Sequence, residues 1–370
     1  MRRSRTFLFA LVLLISGCRN STGSRDGEPD ADPDGELERG LGESLDASLD
    51  GTDADTGRVR FVRNPDNPLY RSSGQIWDYA GIGDPSVLYD STDVLFKAWL
   101  SVGGRLDAAG PLAVRTGALV SYDGVAWQQV PGGPVFKEGA KGEWDQGGVE
   151  TVCVLREANN YLLYYGAYRE AKDPPVGMQI GVATSSDGVH WERSPQNPVL
   201  PPGKPGAWDQ SWVESPTVIH LGDTYYMWYS GVDWSRASFA IGLATSPDGV
   251  TWTRHPANPV FSAEPSNSWE NGAVYAPSVV YDGHRFVMFY VGLNDATFLD
   301  EMRIGMATSP DGVNWTREPS NPVLDPGPPG AWDEKGPFVP SVLIKDGVYY
   351  LYYLSGSNPN EAIGLSTWTP

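Results

Sequence analysis

One unit recurs five times in this chain, and that repetition limits the fold more than any other feature. Each copy opens on a Trp followed by an acid: Trp77-Asp78, Trp144-Asp145, Trp208-Asp209, Trp269-Glu270 and Trp332-Asp333, at spacings of 61 to 67 residues. Eight residues after the Trp stands Pro85, Pro216, Pro277 or Pro340, with Val152 in the second copy. A β-rich stretch follows, such as Ser278-Val-Val-Tyr281, and then a short turn, such as Asp282-Gly283. An aromatic run comes next, as in Tyr161-Leu-Leu-Tyr-Tyr165 and Tyr225-Tyr-Met-Trp-Tyr229. A third run, Ile241-Gly-Leu-Ala-Thr-Ser246 and its cognates, leads into Asp-Gly turns at Asp123, Asp187, Asp248 and Asp311. Asn-Pro-Val segments at 197, 258 and 321 close the unit.

These are strand signals: β-branched and aromatic runs bounded by Gly, Pro, Asn and Asp. No stretch sustains a helical period. Four strands per copy and five copies predict an all-β chain folded as a five-bladed β-propeller with four-stranded blades. The fifth copy stops at Trp368 without an Asn-Pro segment. The missing piece stands at the front, where Arg63-Asn-Pro-Asp-Asn-Pro-Leu69 parallels Arg193-Ser-Pro-Gln-Asn-Pro-Val199. Residues 58–69 are therefore expected to pair as the outer strand of the last blade, which removes two open sheet edges.

The first 57 residues are a different material. Arg2, Arg3 and Arg5 precede a short apolar run, Phe7 to Ile15, well under the ~20 residues a membrane-spanning helix needs. It reads as a secretory h-region. Its end, Leu14-Ile15-Ser16-Gly17-Cys18, resembles the lipobox of bacterial lipoproteins. That resemblance implies cleavage before Cys18, lipidation of Cys18, a membrane contact through the lipid, and an outer-membrane or cell-surface location. Between Asp26 and Asp55 there are twelve acids, one base (Arg39) and no aromatic residue. Such a segment cannot bury enough apolar surface to offset its ordering entropy. The organisation expected is a signal peptide over 1–18, an acidic tether over 19–57 and the propeller over 58–370.

Charge and composition exclude several classes. A net charge of −19 argues against nucleic acid, which needs a basic face. Asp30-Ala-Asp32-Pro-Asp34 begins like a calcium loop, but its twelfth position is Leu41 where Glu is required. The four His are isolated, without zinc-ligand spacing, so no metal and no cofactor is expected. A structural Ca2+ at the propeller axis is neither required nor excluded. With Cys18 lipidated, Cys153 has no disulfide partner. A monomer is expected.

The copies serve as each other's control: residues that build a blade recur, and residues that do chemistry differ. In a propeller the first strand of each blade lies nearest the axis. Six residues after the Trp the copies carry Gly83, Glu150, Glu214, Tyr275 and Phe338; at seven they carry Asp84, Thr151, Ser215, Ala276 and Val339. Asp84, Glu150 and Glu214 thus come from three successive blades and should converge on one funnel. Tyr275 and Phe338, with Trp212 two residues before Glu214, are the candidate surfaces for a sugar ring. Carboxylates crowded in a half-buried funnel cannot all ionise at ordinary pKa, and the resulting split separates an acid from a base. A single such acid would read as a solvated rim residue; three at matched strand positions favour chemistry.

At these residues the chain resembles glycoside hydrolase family 43 and its five-bladed relatives. In that group the base is the Asp of an Asp-Pro opening the first blade, here Gly83-Asp84-Pro85-Ser86-Val87. The general acid is a Glu two residues before a Pro in the third blade, here Val213-Glu214-Ser215-Pro216-Thr217. The resemblance implies inverting hydrolysis of arabinofuranosyl or xylosyl glycans, with carboxyls ~6.5–9.5 Å apart. The family's second-blade Asp is absent; Val152-Cys153 stands there, and Glu150 is carried over as a modulator. Fructan-cleaving relatives use an Asn-Asp-Pro-Asn-Gly setting, which Gly83-Asp84-Pro85-Ser86 lacks. Arg115 and Arg303 share one offset before the third strand and are candidates for a substrate contact or for ion pairing. Asp-Gly turns such as Asp187-Gly188 are similar to the sialidase Asp-box but lack its intervening residue. The main alternative is a lipid-anchored propeller that binds glycans without cleaving them.

Overall fold

The computed structural model describes residues 58–170, 177–236, 238–294, 302–356 and 360–370. The lipobox Cys18 and the acidic segment lie outside the described residues. Every regular element described is a β-strand, and the strands form five antiparallel sheets arranged as propeller blades.

In chain order, blade one pairs Gly81–Asp90, Leu95–Gly104, Ala113–Ser121 and Gln128–Gln129. Blade two pairs Gly148–Arg156, Tyr161–Tyr168, Gln179–Ser185 and Glu192–Arg193. Blade three pairs Trp212–Leu221, Thr224–Asp233, Ser238–Ser246 and Thr253–Arg254, with Phe261–Ser262 added to the third strand. Blade four pairs Ala273–Tyr281, Phe286–Leu293, Arg303–Ser309 and Thr316–Arg317. Blade five has three strands of its own, Phe338–Lys345, Val348–Ser355 and Ala362–Trp368. Its outer edge is supplied by the N-terminus: Val62–Arg63 pairs with Thr367 and Ser366, and Tyr70–Arg71 with Ile363 and Ala362. The expected ring closure is thus present and reaches two residues further, to Arg71.

The recurring residues account for the blade. Each landmark acid is buried, and in blades two to four it holds the Arg of its own outer strand. Arg193 donates to Asp145 at 2.7 Å, Arg254 to Asp209 at 2.8 Å and Arg317 to Glu270 at 2.5 Å. In blade five the Arg comes from the closing strand, Arg63 to Asp333 at 2.8 Å. Blade one uses Gln129 on Asp78, at 3.3 Å. Tyr165, Tyr229 and Tyr353 add a hydroxyl to the same acids.

Neighbouring blades are joined in two ways. Near the axis, a side chain nine residues after each landmark Trp accepts a backbone N–H from the next blade. Ser86 takes Val154 (2.9 Å), Thr217 takes Val279 (3.2 Å), Ser278 takes Val342 (2.9 Å) and Ser341 takes Val87 (2.9 Å). The second blade fills this place with Cys153, whose sulfur accepts from Val218 at 3.4 Å. Further out, the Gly carbonyl of each Asp-Gly turn accepts from an aromatic residue of the preceding blade. Trp99 reaches Gly188 (2.8 Å), Tyr164 Gly249 (2.9 Å), Trp228 Gly312 (2.9 Å) and Tyr352 Gly124 (2.9 Å). Blade five ends before such a turn, and the matching residue of blade four is Phe289, which has no donor. Phe289 instead packs edge-on against Phe61 of the closing segment, with ring centroids 5.4 Å apart.

Candidate active site

The first strands line the axis, and each breaks its register at the same point. Pairing with the second strand skips two residues between Gly83 and Ser86, Glu150 and Cys153, Glu214 and Thr217, Tyr275 and Ser278, and Phe338 and Ser341. The first skipped residue is left-handed in all five blades: Asp84 (φ 46°), Thr151 (49°), Ser215 (48°), Ala276 (49°) and Val339 (46°). That conformation costs a non-Gly residue about 1–3 kcal/mol, most clearly for the β-branched Thr151 and Val339. What holds it is the bulge, which turns the strand and presents these residues, with Pro85, Val152, Pro216, Pro277 and Pro340, around the axis. Beyond this collar is a cavity of about 120 Å³ bounded by the ring of acceptor side chains that includes Ser86, Cys153 and Ser341.

The bulge brings the three acids together. Glu150 and Glu214 are buried, at 5% and 6% exposure. Asp84 is held by Ser101, whose hydroxyl donates to Oδ2 at 2.7 Å, and by the Thr151 backbone N–H. Ser101 also accepts from the Thr151 N–H at 3.2 Å, so blades one and two meet at this carboxylate. Burial raises the Asp84 pKa, and these two hydrogen bonds oppose the rise. Glu214 has no such compensation: burial and then the charge on Asp84 push it up to about 8. Glu150 is raised well above its ordinary value by burial, then by Asp84 and Glu214, and its Oε1 has no hydrogen-bond partner. The three groups therefore ionise as one coupled set, Asp84 first.

Around the acids the placement is mixed. Tyr275 is buried, its hydroxyl 3.4 Å from the Met302 sulfur, and the charges of Glu214 and Asp84 add to burial in raising its pKa. Phe338 is buried in the same apolar cluster. Trp212 is interior rather than an open sugar platform: it is 1% exposed and packs edge-on against Trp234 at 4.5 Å. Arg115 is also interior. Its guanidinium grips Glu138 at 2.6 and 2.5 Å and donates to the Gly104 carbonyl at 2.9 Å, so it takes the ion-pairing role, but in the interior rather than at the surface. Arg303 pairs with Asp325 at 3.0 Å. Cys153, in the place of the family's second-blade Asp, belongs to the axial ring and not to the acid cluster.

Sequence reasoning missed Ser101. The signal was available: opposite the sixth position the five second strands carry Ser101, Gly166, Ser230, Val291 and Leu354. Ser stands only in the first and third blades, which bear Asp84 and Glu214. Among the described residues no cluster of His, Cys, Asp and Glu is arranged to hold a metal ion.

The site is thus a set of coupled carboxyls gathered where the first strands of a five-bladed propeller begin. The sequence model of "Glycosyl hydrolases family 43" matches residues 209–358, the third to fifth blades. An uncharacterized protein of Mycobacterium tuberculosis (strain ATCC 25618 / H37Rv) is 29% identical over 64% of this chain and 77% of its own length. A 1,2-beta-oligomannan phosphorylase of Thermoanaerobacter sp. (strain X514) is 25% identical over 62% of this chain and 72% of its own. The solved β-1,2-mannobiose phosphorylase of Listeria innocua superposes with a TM-score of 0.63 at 13% identity, covering 84% of this chain and 96% of that one. The chain is thus a five-bladed propeller that resembles family 43 over its third to fifth blades and is similar to glycan phosphorylases in sequence and fold.

Proposed function

We propose that this protein cleaves glycosidic bonds by acid–base catalysis at the mouth of the propeller. The observation that supports this most is the unequal treatment of Asp84 and Glu214. Asp84 receives two hydrogen bonds that favour its charged form, whereas Glu214, buried beside that charge, keeps its proton up to about pH 8. At neutral pH the site then offers one carboxylate base and one carboxylic acid. Asp84 takes a proton from water as its oxygen attacks the anomeric carbon, while Glu214 delivers its proton to the departing oxygen as the glycosidic bond breaks. Exchange with solvent then restores both groups. Glu150, protonated between them, limits the negative charge the site accumulates and so modulates Glu214.

The family 43 resemblance favours arabinofuranosyl or xylosyl substrates, and the oligomannan phosphorylase similarity adds β-1,2-linked mannosides. The test is a screen of aryl α-L-arabinofuranosides, aryl β-D-xylosides and β-1,2-mannobiose, with and without inorganic phosphate. Asp84→Asn and Glu214→Gln should each lower turnover about 10²–10⁴-fold while sugar binding persists. Wild-type rates in Glu214→Gln would remove Glu214 from the reaction. Rates that require phosphate would make the reaction phosphorolysis. A second reading, glycan capture without turnover, is favoured by Val152-Cys153 where the family has an acid; it is supported if binding occurs and no substrate is cleaved.

The lipobox motif extends the proposal to an anchored protein at the outer membrane or cell surface. Fatty-acid labelling that is lost in Cys18→Ala tests it.

A further inference from the structure

Three residues before the glycine that each third strand carries (Gly117, Gly181, Gly242, Gly305 and Gly364), an equivalent slot is filled by Val114, Met178, Phe239, Met302 and Glu361. Four blades fill it with an apolar side chain, and blade five fills it with a carboxylate. Glu361 is 1% exposed, and apart from its own backbone N–H nothing in the protein is placed to hydrogen-bond its two oxygens. A buried carboxyl so poorly paired is costly, and native interiors keep such groups where a ligand or water completes them.

The slot lies at the mouth end of the blades. By strand register Phe338 pairs with Leu354 and Leu354 with Ile363, so Glu361 stands two residues further toward the mouth. In the other blades its occupants reach toward the first strands. The Met302 sulfur meets the Tyr275 hydroxyl at 3.4 Å, and the Phe239 ring lies 6.5 Å from the Tyr275 ring. By the same geometry Glu361 falls at the junction of blade five with blade one, whose sixth position is the bare Gly83. Burial raises its pKa to about 7 against a small opposing effect of its own backbone N–H, with no contribution from the acid trio. It therefore acts apart from the reacting carboxyls.

We propose that Glu361 is the anchor of a sugar subsite at the blade five–blade one junction, its two oxygens accepting hydrogen bonds from adjacent hydroxyls of the glycan. The planar pair of acceptors matches a vicinal diol, and a desolvated carboxylate binds such donors more strongly than a neutral group does. The inference rests on the reading of the mouth as a glycan site but requires no catalysis.

The test is therefore one of binding. The full-length protein, with Glu361→Gln and Glu361→Met, is titrated with D-mannose, L-arabinose and D-xylose and followed by thermal shift and calorimetry. Glu361→Met restores the apolar filling of the other blades, and its sugar-free melting temperature at pH 8 should equal or exceed that of the wild type. Glu361→Gln should weaken the best-bound sugar about 10-fold and Glu361→Met about 100-fold. Affinity within about two-fold of the wild type in Glu361→Gln, or no response of the wild type to any of the three sugars, would overturn the proposal. Aryl glycoside hydrolysis, measured separately, reports on Asp84 and Glu214, so failure of the catalytic reading is distinguishable.

Discussion

Arg63→Ala isolates the closure of the ring. Arg63 donates to Asp333 at 2.8 Å and to the Asp325 carbonyl, and it belongs to a segment that reaches blade five from the opposite end of the chain. Asp333 is 2% exposed and Arg63 34%. Breaking a buried pair leaves a stranded charge at about 3–5 kcal/mol. Because the guanidinium is a third open to water, roughly half of that applies, about 2 kcal/mol. For a domain of this size that is about 4 °C in melting temperature. The molecule supplies its own control. Arg193 holds Asp145 at 2.7 Å with 33% and 1% exposure, but inside a covalently continuous blade. Arg193→Ala should lose the same local energy and no more. Arg63→Ala should lose more, because loosening its strand also frees Phe61 from Phe289 and opens the edge at Thr367 and Ser366. Differential scanning calorimetry of both variants decides it. An unchanged melting temperature for Arg63→Ala, or a loss no larger than for Arg193→Ala, would refute the reasoning.

Other expectations follow from the same geometry. Cys153→Ser should raise the melting temperature by about 1–2 °C, since a hydroxyl is a better acceptor for the Val218 N–H than sulfur is; a lower value would remove Cys153 from the ring. Burial pushes the Cys153 thiol up to about 11, so native protein at pH 8 should react with a thiol reagent far more slowly than unfolded protein. Hydrolysis needs Glu214 protonated, so the rate should fall as pH rises through about 8, and a pH-independent rate from pH 7 to about 10 would oppose its role as the acid. Glu361 is a carboxyl whose folded pKa, about 7, lies above its unfolded value of 4.5. Between these values the folded state holds the extra proton, so its stability relative to the unfolded chain falls as pH rises from 4.5 to 7 and stays lower above. Glu361→Met should remove about 1–3 kcal/mol of that decline, measured as melting temperature against pH.

Much of the fold was legible because a blade is a local unit that recurs. The Trp-acid pairs, the Asp-Gly turns and the Asn-Pro segments each carry a contact that repeats around the ring, so five copies announced themselves. Even the closure could be read, because Arg63 to Leu69 repeats a segment the fifth copy lacks. The acids of the site were legible for the opposite reason: Asp84, Glu150 and Glu214 break a pattern the copies otherwise share. The bulge that turns Asp84 toward the axis could not be read, since its left-handed residue is Asp, Thr, Ser, Ala or Val and never Gly. Trp212 misled, and the burial of Arg115's ion pair went unseen, because a chain position near the mouth does not say whether a side chain turns out or in. Trp212 turns in against Trp234, and Arg115 turns in because Glu138 meets it there. Glu361 was hidden because its slot lies on the third strand, away from the positions where the copies were compared.

Asp84 and Glu214 share one site, and Glu214 feels the charge on Asp84. The most direct measurement is the titration of Glu214 by carbon NMR of labelled glutamate, in the wild type and in Asp84→Asn. A Glu214 pKa near 8 that drops when the Asp84 charge is removed is the result this structure predicts. An ordinary value near 4.5, or one indifferent to Asp84, would contradict it.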